Sequence, residues 1–95
     1  MTAKPLISFS KIAEEDLNFL DIDEWPDWQA QFGNPQPLKL EIGFGMGSFL
    51  IEMAAQEPRS NFIGMDFYHK GIRKLMTRKK KLQLDNIRVA YGDVR

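Results

Sequence analysis

Three glycines and two carboxylates mark the part of this sequence that could hold a small ligand. Gly43, Gly45 and Gly47 follow a short apolar run, and Glu41 stands two residues before the first glycine. A second apolar run ends at Asp66, nineteen residues beyond Gly47. Glycines allow a sharp turn and a close approach of ligand to backbone, and an acid at this distance can accept hydrogen bonds from a ribose diol. The pattern predicts a site for a cofactor that contains a nucleoside.

The glycine spacing also indicates the class of cofactor. A dinucleotide fingerprint, G-x-G-x-x-G, would need its third glycine at position 48, which is Ser48. The carboxylate of Glu41 would repel a pyrophosphate but would suit a cationic ligand. S-adenosylmethionine carries a sulfonium and an ammonium group and no phosphate, so the turn is typical of a methyltransferase half-site. The alternative interpretation is that the glycines only form a tight turn between a strand and a helix.

Alternating apolar runs and helical patterns position these residues. The sequence predicts strands at 38–42, 61–66 and 87–91 and helices at 47–57 and 69–82. Right-handed crossovers would arrange the three strands as a parallel sheet in the order 3-2-1. This is the N-terminal half of a Rossmann-like S-adenosylmethionine-dependent methyltransferase fold, of the α/β class.

The predicted domain stops after its third strand, so the first strand would lie at an open edge. Its apolar residues Leu38, Leu40 and Ile42 would be exposed there, and an exposed apolar edge makes self-association an expected outcome. We therefore expect a truncated domain, which is either a fragment or a natural truncation.

Two segments of opposite charge divide the chain. Residues 1–37 form an acidic, partly helical N-terminal arm with seven acidic and two basic side chains; residues 38–95, the partial cofactor-binding domain, hold six acidic and eleven basic ones. Within the arm, Trp25, Trp28 and Phe32 recur at helical spacing before Gly33 and predict a short helix. We expect the tryptophans to pack on the sheet or a neighbouring helix rather than to stack on bases.

The predicted helix 69–82 carries most of the positive charge. Its apolar seam consists of Ile72, Leu75, Met76 and Leu82. A solvated charged face is one interpretation, but no acidic residue lies four positions before the basic run, which favours phosphate binding. The candidate phosphate-binding residues are Lys70, Arg73, Lys74, Arg78, Lys79, Lys80 and Lys81.

Composition narrows the remaining classes of function. The sequence has no cysteine and a single histidine, His69, so we expect neither a disulfide framework nor a metal site. His69 stands at a predicted helix start and is expected to be a surface or capping residue rather than a catalyst. The first residues lack the apolar core of a signal peptide, and no run has the length of a membrane helix, so we expect a cytoplasmic protein without a membrane partner.

The segments Leu40-Glu-Ile-Gly-Phe-Gly-Met-Gly47 and Asn61-Phe-Ile-Gly-Met-Asp66 closely resemble the bacterial tRNA (guanine-N7-)-methyltransferases. The resemblance extends over roughly residues 26–95. It implies methyl transfer from S-adenosylmethionine to N7 of a guanine in the tRNA variable loop. It also implies that the acids matching the family's cofactor contacts have that role here, namely Glu41, Asp66 and Asp93.

Two positions and one missing segment qualify the resemblance. Asp66 stands where the family more usually has Glu. Gly71 matches a family glycine at the head of a helix, but Lys70 stands where the family has a proline just before that glycine. The family's Pro-Asp-Pro-Trp segment, which carries an acid on the methyl-acceptor side, has no match. We therefore expect no catalytic residue in this chain, which alone would be inactive. The open alternatives are a non-catalytic remnant that binds S-adenosylmethionine or RNA, and a half-domain of a small-molecule methyltransferase.

Overall fold

Four strands and three helices alternate along the described part of the computed structural model, residues 19–21 and 24–92. The strands are β1 (Phe19–Asp21), β2 (Leu38–Ile42), β3 (Asn61–Asp66) and β4 (Ile87–Tyr91), and the helices are α1 (Trp28–Phe32), α2 (Ser48–Gln56) and α3 (His69–Leu82). The three predicted strands and the predicted helix 69–82 are confirmed with these bounds. Helix α2 is one residue shorter at each end than predicted.

All four strands are parallel and lie in the order β1-β4-β3-β2. The predicted α/β class and the order 3-2-1 for the last three strands are therefore confirmed. In the register of the sheet, Ile42 of β2 lies beside Met65 of β3, which lies beside Ala90 of β4. The carboxyl ends of these three strands consequently meet at one edge, where the predicted glycine turn follows β2. Strand β1, which the sequence did not predict, comes from the acidic arm and pairs with β4.

Helices α2 and α3 cover one face of the sheet. Helix α2 contributes Leu50, Ile51 and Ala54 to the core, and α3 contributes Ile72, Leu75 and Met76. They pack on side chains of alternate strand positions, which point to the same face of a sheet. The strand residues in this core are Phe62, Ile87 and Val89, and Phe44 joins them from the loop after β2.

The short helix α1 covers only part of the opposite face. Asp27 caps its first turn by accepting a hydrogen bond from the Ala30 N–H at 3.2 Å, and Gly33, with a φ of 75°, ends it. The predicted packing is confirmed for Trp28, which is buried against β3 and β4 together with Ile63, Met65 and Ala90. It is wrong for Trp25, which is 60% exposed and touches Trp28 only through an edge-to-face ring contact.

The outer row of β2 lies beyond the reach of α1. Leu38, Leu40 and Ile42 are 44%, 47% and 56% exposed, as predicted for an apolar strand at an open edge of the sheet. Self-association through this row stays a prediction. No helix in residues 19–21 and 24–92 combines the length and the apolarity that a membrane crossing requires.

Candidate cofactor site

The glycine loop, residues 43–47, connects β2 to α2 with three residues in left-handed conformations. The φ angles of Gly43, Gly45 and Gly47 are 73°, 61° and 81°, which side chains other than glycine adopt only with strain. The Gly43 N–H donates to the Met65 carbonyl at 2.7 Å, and the Gly47 N–H donates to the Phe44 carbonyl at 3.0 Å. The first bond extends the pairing of β2 with β3, and the second closes a turn inside the loop. The left-handed backbone conformation therefore requires glycine at all three positions.

The surroundings of the three glycines differ. A Cβ atom added to Gly43 or Gly45 would meet no heavy atom within 4 Å, so open space lies beside these two residues. A Cβ atom at Gly47 would come within 2.8 Å of the Leu75 side chain. A ligand can thus approach the backbone at Gly43 and Gly45, whereas Gly47 is needed for the packing of the loop against α3.

Asp66, at the end of β3, connects the two halves of the predicted site. Its Oδ2 accepts a hydrogen bond from the Gly45 N–H at 3.0 Å, and its Oδ1 accepts from the N–H groups of Phe67 and Tyr68 at 2.7 and 3.1 Å. An ionised carboxylate has about four lone-pair positions for hydrogen bonds, and these three N–H groups occupy three of them. The carboxylate is held in place by backbone donors, and Oδ2 keeps one position for a further donor such as a hydroxyl group.

Helix α3 fixes the glycine loop from the other side. Gly71, in the first turn of α3, is buried, and a Cβ atom there would lie 1.9 Å from the Gly45 carbonyl oxygen. Only a glycine permits this contact between the helix and the loop. The resemblance had pointed to Gly71 without a reason, and the structure supplies one.

Glu41 lies on β2, two residues before the loop, and is half-buried opposite Gly64 of β3. Burial raises the pKa of its carboxyl group above the ordinary value of 4.5, because the charged form loses water. The carboxylate forms no ion pair within the described part of the chain. A cation bound near it would restore part of the lost stabilisation of the charged form.

The third predicted acid, Asp93, lies outside the described residues. The chain immediately before it approaches the site, since the Gly92 N–H donates to the Asp66 carbonyl at 3.4 Å. His69 is exposed, as predicted for a surface residue, and its Nε2 lies 3.0 Å from the Tyr91 hydroxyl. In the part of the chain that the structure describes, no three His, Cys, Asp or Glu residues are grouped so that they could hold a metal ion.

The basic helix α3 differs from its prediction at two positions. Lys79 is only 5% exposed and donates from Nζ to the Leu84 carbonyl at 2.6 Å. Leu82, predicted in the apolar seam, is 52% exposed. The reason is helical geometry: Lys79 lies seven residues after Ile72 on the buried face, whereas Leu82 is the last residue of the helix. Lys79, one of the candidate phosphate-binding residues, is therefore buried and does not lie on the solvent face.

Comparison with known proteins agrees with the geometry of the loop. The family model Methyltransf_4, which describes a methyltransferase family, matches residues 35–95. The chain belongs to this methyltransferase family. Enzymes of such a family use a methyl donor, so a donor site at the glycine loop fits the family assignment.

Similar curated proteins are named tRNA (guanine-N(7)-)-methyltransferases. The protein from Geobacter metallireducens is 45% identical over 80 residues, which are 81% of this chain and 38% of that protein. The protein from Vibrio cholerae serotype O1 is 42% identical over 67 residues, 70% of this chain and 28% of the relative. The protein from Aliivibrio fischeri is 39% identical over 72 residues, 76% of this chain and 30% of the relative. The chain thus spans less than two fifths of the length of these relatives.

A solved structure confirms the fold. The 30S ribosomal A1408 methyltransferase from an uncultured bacterium superposes with a TM-score of 0.64 over 78% of this chain and 37% of that chain. The two sequences are only 18% identical, so the likeness concerns the fold alone. The predicted Rossmann-like methyltransferase fold is therefore confirmed for this part of the protein.

Proposed function

We propose that the protein carrying this chain is an S-adenosylmethionine-dependent tRNA (guanine-N7-)-methyltransferase whose cofactor half-site is the glycine loop with Glu41 and Asp66. The names of the similar proteins support the choice of tRNA and of guanine N7. The family assignment supports methyl transfer. For such an enzyme we also propose the cytoplasmic location that the sequence predicts.

The observation that carries the proposal is the hydrogen bond between Asp66 and the Gly45 N–H, beside open space at Gly43 and Gly45. A nucleoside fits such a cradle, because its ribose hydroxyls can donate to Asp66 while its other atoms lie against backbone without side chains. When bound, S-adenosylmethionine supplies a methyl group on a sulfonium. Glu41 is assigned to the attraction of the cationic part of the donor.

The proposed reaction depends more on the orientation of the reacting atoms than on proton transfer. Guanine N7 has an in-plane lone pair and no proton, so no strong general base is needed for its attack on a methyl group. Most of the acceleration would come from holding the reacting atoms in line. The residues assigned here, Glu41, Gly43, Gly45 and Asp66, bind and orient the donor, and Asp93 is proposed to join them. None of them is assigned to the guanine.

Methyl transfer to two matched RNAs tests this function. The complete protein is incubated with labelled S-adenosylmethionine and a tRNA transcript that has either guanosine or 7-deazaguanosine in the variable loop. We expect label in the guanosine transcript and none in the 7-deaza transcript, which lacks the N7 lone pair. Equal labelling of both would contradict the N7 assignment. Transfer only to small molecules, or binding of the donor without transfer, would favour the small-molecule enzyme or the non-catalytic remnant.

A further inference from the structure

The solvent face of α3 presents a straight row of lysines. Lys70, Lys74 and Lys81 are separated by four and seven residues, so they lie above one another on the face opposite the buried seam. With a rise of 1.5 Å per residue, the row extends about 16 Å along the helix axis. Lys70 and Lys81 are exposed and Lys74 is half-buried. Lys80 is also exposed but lies about 100° away from Lys81 around the helix axis. We call Lys70, Lys74 and Lys81 the lysine row.

These charges are not neutralised by neighbours. Helix α3 contains no acidic residue, and Lys70, Lys74, Lys80 and Lys81 form no ion pair with the described part of the chain. By contrast, Lys39 on β2 is paired with Glu57 at the end of α2. The lysine row therefore keeps its full charge for a partner in solution, and that partner must be anionic.

Other basic residues of α3 already have intramolecular partners. Lys79 donates to the Leu84 carbonyl at the end of the helix, and the Arg78 guanidinium donates to the Ser48 hydroxyl at the start of α2 at 3.1 Å. These contacts stabilise the C-terminal end of α3 and its packing against α2. The run from Arg78 to Lys81 thus divides into two structural residues and two residues that face solvent.

The lysine row begins next to the candidate cofactor site. Lys70 precedes Gly71, which contacts the glycine loop, and α3 then runs away from that edge of the sheet, because it must return the chain to the start of the parallel strand β4. A linear anion bound along the row would therefore have one end near the loop. A polynucleotide backbone has this form and places its charges at regular intervals.

We propose that the lysine row binds phosphates along an RNA strand and so holds one end of the bound segment near the glycine loop. The identification of this RNA as tRNA rests on the proposed function. Contacts to phosphates position an RNA but carry no information about its sequence. The row therefore contributes affinity and orientation, and the selection of the target base falls to other residues.

The salt dependence of RNA binding tests the row. Binding of an unmodified tRNA transcript to the complete protein is measured by fluorescence anisotropy from about 50 to about 200 mM potassium chloride. Each phosphate contact contributes about 0.7 to 0.9 to the slope of log affinity against log salt. We expect Lys70→Gln/Lys74→Gln/Lys81→Gln to reduce that slope by about 2 to 3 and to lower affinity at low salt at least tenfold. The affinity for S-adenosylhomocysteine should not change.

Two single variants provide a matched control. Lys74→Gln should reduce the slope by about 1, whereas Arg59→Gln, which removes one exposed positive charge outside α3, should leave it unchanged. Equal effects of the two variants, an unchanged slope in the triple variant, or no transcript binding by the parent would overturn the proposal. Competition by polyglutamate as strong as by tRNA would also overturn it, in favour of an acidic protein partner. Binding is measured without methyl transfer, so an inactive parent that shows the expected slopes would refute only the proposed activity.

Discussion

The two faces of the sheet are covered to very different degrees. On one face, α2 and α3 bury a continuous core that includes Leu50, Leu75 and Val89. On the other face, α1 provides only Trp28 and part of Phe32, and the outer row of β2 remains exposed to solvent. The candidate cofactor loop is built on the well-covered face. Its geometry therefore depends on the packing of the helices and much less on the open face.

Contacts beneath the glycine loop show this dependence directly. Phe44, inside the loop, is buried in the core, Gly47 packs on Leu75, and Gly45 packs on Gly71. The sides of the loop at Gly43 and Gly45 remain open to a ligand. A backbone that is supported in this way is ordered before a ligand arrives, which lowers the entropy cost of binding.

Gly71→Ala is one of the two variants with the largest expected effect on stability. The new methyl group would overlap the Gly45 carbonyl oxygen, so the helix or the loop must move, and overpacking of this kind costs about 3 kcal/mol. The control is Gly33→Ala, whose Cβ has space but whose φ is left-handed, at a cost of about 1 kcal/mol. Urea unfolding of both variants measures the difference. Equal losses of unfolding free energy in the two variants would show that α3 and the loop are not in close contact at Gly71.

A second pair of variants compares the two faces. Leu50→Ala removes a side chain that is 1% exposed and should destabilise the fold by about 3 kcal/mol. Leu40→Ala, on the open face, should cost less than about 1 kcal/mol, because much of that side chain is already in contact with water. Thermal or urea unfolding gives both values. A cost at Leu40 as large as at Leu50 would mean that the row on β2 is covered in solution.

The sequence was sufficient to predict the strands and helices whose own residues form a recognisable pattern. Apolar runs ending at glycine or at Asp66 predicted β2 and β3 with their observed bounds, and the pairing of the glycine turn with Asp66 is present as a hydrogen bond. Strand β1 was missed because its three residues lie in an acidic arm, and the contact that defines the strand is its pairing with β4. Such a long-range contact leaves no periodic pattern in so short a segment.

Two features around the site were not predicted. The spacing of Ile72, Leu75, Met76 and Lys79 is that of one helix face, which would have indicated that Lys79 is buried, but the basic run around it suggested a solvent face. The role of Gly71 requires knowledge that α3 crosses the glycine loop at contact distance. The role of Gly71 depends on how the helix is placed against the loop, which residue types alone do not specify.

The smallest expected effect on stability is that of Glu41→Gln. This variant distinguishes the contribution of Glu41 to ligand binding from its contribution to stability. Its pKa is raised by burial in the folded state, so folding favours the protonated form, and the ionised form is a cost at neutral pH. Glu41→Gln should therefore be slightly more stable than the parent at pH 7, and the difference should shrink as the pH falls through the raised pKa toward 4.5. Thermal unfolding across this pH range measures it. Glu52→Gln, an exposed site on α2, controls for the loss of one negative charge.

A variant of Glu41 that is less stable than the parent at pH 7, or a difference that does not vary with pH, would contradict this account. The same variant should bind S-adenosylmethionine more weakly than the parent. A gain of stability together with a loss of affinity is expected where a charge is kept for a ligand rather than for the fold.

Calorimetric titration of the complete protein with S-adenosylhomocysteine and with its 2′-deoxy analogue tests the central claim most directly. If Asp66 accepts a ribose hydroxyl, the parent should bind S-adenosylhomocysteine more tightly than the analogue. Asp66→Ala should lose about 1.5 to 3 kcal/mol of affinity for S-adenosylhomocysteine, on the order of ten- to 150-fold, and should no longer distinguish the two ligands. Asp85→Ala, an exposed acid beyond α3, should behave as the parent. Equal affinity of Asp66→Ala and the parent for S-adenosylhomocysteine, or no binding by the parent, would contradict the assignment of this loop as the cofactor site.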